Sequence, residues 1–225
     1  MSKKQKLYSP TSHAVLDIKS RKEKASVIIN ILGSYKDLKK CRILDIGTGS
    51  GVIDHEIGRI SKNVYSVDIR DERVVKKGFA FKKIKDEKLP FGESEFDIVM
   101  SNHVMAHVKN QDAHLKEISR VLKSDGIVYL SMLNRLCVME PNFSLPFLSW
   151  LPKKLADRYV RFSGRGKSYD VRPNTYREFV AHISQYFDYK DMTLEIIKRN
   201  VWMPKIFYGI FKPFSPVWIF ILRKK

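Results

Sequence analysis

The stretch LDIGTGSG, residues 44–51, places three glycines in five positions at the end of the apolar run CRILDI (41–46). Glycine loses more backbone freedom on folding than any other residue, so such a cluster stands where the chain must turn sharply or come close to a ligand. VIDHEIGRI follows with helical patterning, so the segment describes a strand, a bare turn and a helix. In that geometry backbone amides and a helix N-terminus approach a ligand closely. Dinucleotide-binding loops place a third glycine three residues after the second. Here that position is Val52, and the glycines run G-x-G-x-G, which argues against a nicotinamide cofactor.

The chain around this loop alternates between strand and helix patterns. Arg21 to Leu32 carries Ala25, Ile28, Ile29 and Leu32 at helical spacing, with Gly33 as a stop. After the glycine loop come NVYSVDI (63–69) as a strand, ERVVKK (72–77) as a weak helix and FAFKKI (79–84) as a third strand. FDIVMS (96–101) reads as a fourth strand. DAHLKEISRVLK is an amphipathic helix, SDG a turn and IVYLSML (127–133) a fifth strand. TYREFVAHISQYF resumes as a helix capped at Asn174 or Thr175, YKDMTLEIIK (189–198) reads as a sixth strand and VWIFILRKK (217–225) as a seventh. Such alternation implies parallel strands joined by helical crossovers, hence a three-layer α/β fold. Ligands in these sheets bind beyond the carboxyl ends of the strands. That rim gathers Asp45 to Gly51, Asp68 and Ser101 to His107.

Residues 134–173 break the rhythm. They hold four prolines and the aromatics Phe143, Phe147, Trp150, Tyr159 and Phe162, with no strand pattern, as a functional insertion would. The 225 residues suit one domain with insertions, at 134–173 and 199–216, after an N-terminal helical extension over 1–40. The basic N-terminus lacks the apolar stretch of a secretory signal, and Cys41 and Cys137 read as reduced thiols, which together predict a cytoplasmic protein.

The glycine loop and the segments after it resemble the class I S-adenosylmethionine-dependent methyltransferases, whose first strand and loop read close to LDIGTGSG. VYSVDI supplies Asp68, where that family ends its second strand in an acidic residue that binds the cofactor's ribose hydroxyls. LPFGESEFDIVMSNHVMAHV and HLKEISRVLKSDGIVYLSMLNR are similar to the family's next segments in the same order. The resemblance covers roughly residues 40–135. It implies a Rossmann-like methyltransferase fold with a seven-stranded, mostly parallel sheet whose last strand is antiparallel. It implies S-adenosyl-L-methionine as cofactor, held by Asp45, Gly47, Thr48, Gly49, Gly51, Asp68, Ile69, Asp86, Glu87 and Asn102.

Two departures bear on the site. Many relatives carry an aspartate four residues before the LPF leucine. Here that position is Lys85, leaving a backbone amide near Asp86 or Glu87 for the adenine. Where relatives read EH after the fourth strand, this chain has Ala106 and His107. Ubiquinone-pathway relatives hold metal-binding carboxylates and a histidine there, a set this chain does not repeat. His103 and His107, spaced i, i+4, lack an obvious third ligand, so no metal is expected.

A sulfonium methyl is already an activated electrophile, so the protein must mainly align a nucleophile and exclude water. For a hydroxyl acceptor, His103 or His107 is the candidate catalytic base, although either could equally cap or pack. Asn102 is placed to orient cofactor or acceptor.

The formal net charge is +18, and residues 141–177 hold eight Lys or Arg against Asp157 and Asp170. Such a field favours an anionic partner, although a simple solubilising excess has the same signature. The segment 139–161 resembles a stretch in a subset of the family encoded among glycan-assembly enzymes. VWMPKIFYGIFKPFSP (201–216) mixes Trp202, Phe207, Tyr208, Phe211 and Phe214 with Lys205 and Lys212, which suits peripheral contact with the inner membrane surface or packing on a lid. Those lysines and three prolines argue against a membrane span over 201–222.

The function expected is methyl transfer to a small or lipid-linked acceptor such as a sugar or isoprenoid hydroxyl. An RNA methyltransferase and a non-catalytic cofactor-binding or membrane-surface interaction protein are the alternatives. Oligomeric state is not legible.

Overall fold

The computed structural model describes residues 17–200 and 212–225. The chain runs through α1 (Ile18–Gly33), β1 (Ile43–Ile46), α2 (Val52–Gly58), β2 (Val64–Asp68), β3 (Ala80–Lys83) and β4 (Phe96–Asn102). It continues through α3 (Gln111–Val121), β5 (Leu122–Leu133), a short hairpin of β6 (Met139–Glu140) and β7 (Leu145–Pro146), and α4 (Lys153–Phe162). Last come α5 (Tyr176–Ile183), β8 (Phe187–Asp191), α6 (Thr193–Asn200) and β9 (Val217–Lys224). Seven strands form one sheet in the order β3-β2-β1-β4-β5-β9-β8. The first five run parallel to their neighbours, and β9 is antiparallel to both β5 and β8. The expected doubly covered sheet with its antiparallel last strand is what forms.

Apolar cores on both faces hold the sheet. Leu44 and Ile46 of β1 pack toward one side, with Leu115 and Ile118 of α3 and Phe179 and Ile183 of α5. Ile43 packs toward the other, with Ala25 and Ile28 of α1 and Ile53 and Ile57 of α2. Successive strand side chains alternate between faces, so a strand covered on both sides must be apolar nearly throughout. Asp45 breaks that rule on the α1 and α2 side, almost fully buried. Trp218, Phe220 and Leu222 bury one face of β9 in the core, each worth roughly 2 kcal/mol. The end of the chain is thus a sheet strand, while residues 201–211, including Trp202, Lys205, Phe207, Tyr208 and Phe211, lie outside the described residues. No helix among the described residues is long and apolar enough to cross a membrane.

Helix ends follow local chemistry. Asp17 caps α1 through the Lys19 amide, and Thr175 and Glu178 form a reciprocal capping box on α5, the second of the two caps expected.

Five local expectations are corrected. ERVVKK is not a helix: the Val74 and Val75 amides bond instead to the Ser50 carbonyl at 3.0 and 3.1 Å, and Arg73 grips Asp71. The segment is used to brace the glycine loop. Second, MTLEIIK is not part of the sixth strand. The strand stops at Asp191, whose carboxylate accepts from the Thr193 amide at 2.9 Å and starts α6. Third, the stretch after β4 is a turn, closed by the His107 amide on the Val104 carbonyl at 2.8 Å, and carries no helix to align His103 with His107. Fourth, the segment after Asn134 is not without strands, since it folds into the β6–β7 hairpin and α4. The SDG turn is also absorbed into β5: Leu122 pairs with Phe96 and Ile127 with Ile98, so residues 123–126 bulge opposite Asp97.

Candidate active site

All three glycines of the loop after β1 adopt left-handed backbone angles, with φ of 86°, 52° and 74° at Gly47, Gly49 and Gly51. For two of them the reason lies in the protein itself. A Cβ on Gly47 would sit 2.2 Å from a methyl of Val104, and one on Gly51 would sit 2.2 Å from the Val75 carbonyl oxygen. The turn after β4 and the brace after β2 press on the loop from two sides. Gly47 donates its amide to the Val67 carbonyl at 2.8 Å, and the Thr48 hydroxyl bonds the same oxygen at 3.3 Å. The loop is therefore pinned to β2 before any ligand is considered.

Gly49 is different. Its amide bonds Asp68 Oδ2 at 3.1 Å, while Asp68 Oδ1 accepts from the Arg70 amide at 3.1 Å. Both oxygens are oriented by backbone donors and keep lone pairs for a vicinal diol. Next to it Ile69 is 56% exposed, an apolar side chain standing free at the strand tip where it can cover the face of a base.

Below the loop, the Asp45 carboxyl meets that of Asp54 on α2, both withdrawn from water. Burial foremost, and then the Asp54 and Asp68 charges, push Asp45 far above the usual carboxylate range. Burial likewise raises Asp54.

On the other side of the rim, Asn102 Oδ1 accepts from the Ser131 hydroxyl at 3.0 Å, and that hydroxyl accepts from the His103 amide at 2.9 Å. His103 holds a left-handed φ of 65°, a conformation uncommon outside glycine. Loss of solvation, with Lys24, Arg21 and His107 nearby, holds its imidazole well below the usual pKa and so neutral. Beneath β4, buried His114 bonds Ser101 at 2.9 Å and is lowered to about 4 by burial.

The side chains of Glu87 and Asp86 are engaged within the protein. Glu87 Oε1 accepts from the Lys109 and Asn110 amides at 3.0 and 3.2 Å. Burial raises its carboxyl, but those amides outweigh it and the pKa falls. Its side chain is a strut for the turn after β4. Asp86 caps the Lys88 amide at 2.9 Å. Only their main chain is left to meet an adenine.

Sequence patterning missed three contributors: Asp54, and Arg21 and Lys24 of α1. Lys24 is lowered to about 7, by burial first and by Arg21 second, and no carboxylate pairs with it among the described residues. The only local signal was two cations three apart on a helix, which is also how a solvated face looks. Among the described residues no three His, Cys, Asp or Glu side chains converge as a metal centre requires.

Residues 44–130 match the family model described as "Methyltransferase domain". Over that part the chain is similar to methyltransferases. A ubiquinone biosynthesis O-methyltransferase of Pelagibacter ubique is 30% identical over 133 residues, covering 55% of this chain and 55% of that one. Another of that name, from Rickettsia canadensis, is 24% identical over 161 residues, covering 66% and 67%. The chain spans between about half and two thirds of those relatives' length. The crystal structure of an S-adenosylmethionine-dependent methyltransferase from Mesorhizobium loti has the same fold, with a TM-score of 0.60 at 14% identity over 87% of this chain and 96% of that one.

S-adenosylmethionine is the cofactor that the resemblance of the glycine loop implies, and the residues fit it. Asp68 would offer an oriented carboxylate to the ribose, Ile69 an apolar face to the base, and Asp45 with Asp54 a buried carboxyl pair to the methionine ammonium. When bound, the cofactor supplies an electrophilic methyl group.

Proposed function

We propose that this protein is a methyltransferase that transfers the methyl group of S-adenosylmethionine to a hydroxyl of a small, anionic, lipid-like acceptor, of the isoprenoid-linked kind. The observation that carries the cofactor half is the bond from Gly49 to Asp68, which joins the glycine loop to the ribose carboxylate. The relatives' printed activity, O-methylation in ubiquinone biosynthesis, supports a hydroxyl on a lipid-like molecule.

The cations around the rim support an anionic acceptor. Arg21 stands beside His103 on the α1 side. A groove of about 450 Å3 between the starts of α3 and α5 is lined by Lys109, Arg135 and Arg172 together with Asp112 and Glu178. Arg172 links it to the turn after β4, donating its amide to the Ala106 carbonyl at 2.8 Å.

His103 is the residue we assign to the acceptor proton, with His107 beside it. A neutral imidazole has a free lone pair, and a weak base suffices because the hydroxyl becomes acidic as the methyl arrives. Asn102, tied to Ser131, orients the groups at the same edge.

Incubating the protein with methyl-labelled cofactor and separated lipid, glycan and RNA fractions of its source cells tests this reading. Label in the lipid or small-molecule fraction is expected. Label confined to RNA overturns the acceptor assignment, and binding without turnover on any fraction overturns the activity.

A further inference from the structure

Asp54 is the third residue of α2, and its side chain is fully excluded from solvent. Neither carboxyl oxygen receives a bond from another donor of fixed hydrogens. What faces it is the carboxyl of Asp45, itself 4% exposed. Two carboxyls can bond to one another only through a proton, and two like charges this close in a buried site do not both ionise.

The surroundings do not remove the conflict. From β2, Asp68 adds a third negative charge. Arg73, in the brace after β2, and Arg21, on α1, oppose it, but Arg73 is already gripped by Asp71 at 2.8 and 2.9 Å. On α2 itself, His55 bonds the Lys77 carbonyl, and Glu56 pairs with Lys22 and Arg59. The pair lies on the α1 and α2 side of the sheet, directly below the glycine loop.

We propose that Asp54 is a positioning residue of the cofactor site, sharing one proton with Asp45, and that the ammonium group of the cofactor's methionine end expels this proton on binding. This rests on the reading of the glycine loop as the cofactor site. The O–H bond of the shared carboxyl breaks, the proton passes to solvent, and two carboxylates remain against the incoming ammonium. Asp54 acts through Asp45: it holds the pair at one negative charge before an ammonium arrives and at two afterwards. Linkage then couples affinity to pH, with binding tightening by up to about tenfold per pH unit while the pair still holds its proton. A ligand without the ammonium has nothing to exchange for the proton.

Calorimetry of the full chain, in two buffers of different ionisation enthalpy at about pH 6.5, counts the protons; an α-amino group is still protonated there. S-adenosylhomocysteine is expected to release close to one proton per site, and 5′-methylthioadenosine, which lacks the amino acid, none. Asp54→Asn should bind S-adenosylhomocysteine with no release and a flat pH profile, because its amide donates permanently to Asp45. Asp54→Ser serves the same comparison if circular dichroism shows the first variant unfolded. Binding by the unaltered protein without proton release, or equal release by the folded variant, overturns the proposal and leaves the cofactor site standing. No binding of S-adenosylhomocysteine by folded protein at any pH overturns both.

Discussion

Gly49 donates its amide to Asp68 Oδ2 across 3.1 Å, and this bond joins the tip of β2 to the loop that leaves β1. With the Arg70 amide on the other oxygen at 3.1 Å, the carboxylate is set in orientation before any ribose reaches it. A preset acceptor loses less entropy on binding than a mobile one. Asp68→Ala therefore removes both the ligand contact and the tie that shapes the loop. Hydrogen bonds to a charged group are worth about 1.5–3 kcal/mol, so affinity for S-adenosylhomocysteine should fall at least about tenfold. Titration calorimetry measures this, and circular dichroism should show the fold retained. Undiminished affinity would contradict the assignment of Asp68.

Gly51 is bare because of protein backbone, not because of a ligand. Its Cβ would meet the Val75 carbonyl oxygen, which cannot swing aside as a side chain can. Gly51→Ala should lower stability by on the order of 2 kcal/mol and detach the brace after β2. Hydrogen exchange should show the Val74 and Val75 amides losing protection, since both now bond Ser50. A melting temperature and exchange pattern identical to those of the parent would refute this.

Glu140 is fully buried in the β6–β7 hairpin, with Oε1 unpartnered. Burial raises its pKa from 4.5 to about 7, against the lowering effect of the Phe143 and Asn142 amides. Between those values the folded state keeps a proton that the unfolded chain releases, so stability falls as pH rises through that window. The change is on the order of 3 kcal/mol. Glu140→Gln should abolish this slope and melt higher than the parent at about pH 8. Urea titrations at the two ends of the window decide it.

Lys24 carries the opposite sign. Lowered from 10.5 to about 7, it is neutral in the fold where the unfolded chain still binds a proton. Stability therefore rises with pH between those values, and Lys24→Met should flatten that rise. Because Lys24 stands beside His103 rather than Asp68, the variant should reduce turnover of acceptor while leaving S-adenosylhomocysteine affinity within about threefold of the parent. Equal loss of both would move Lys24 to the cofactor side.

Much of the site was legible because it is local. Gly47, Gly49 and Gly51 declare a left-handed turn by composition, and Asp68 ends an apolar strand seventeen residues beyond it. The side-chain partners of Glu87 and the local structure around the two histidines were not legible. Glu87 is consumed by amides 22 and 23 residues away, and His103 and His107 sit on a turn rather than a helix face.

The order of apolar runs and breakers along the chain was enough to determine the sheet, its crossovers and the bare loop, since strand and helix periodicity and glycine's freedom act within a few residues. Tertiary structure alone decided that ERVVKK braces the loop, that Asp54 meets Asp45 and that Lys24 reaches His103. Those outcomes depend on groups far apart in sequence losing water together. Desolvation and charge act through distance in space, which no spacing along the chain records.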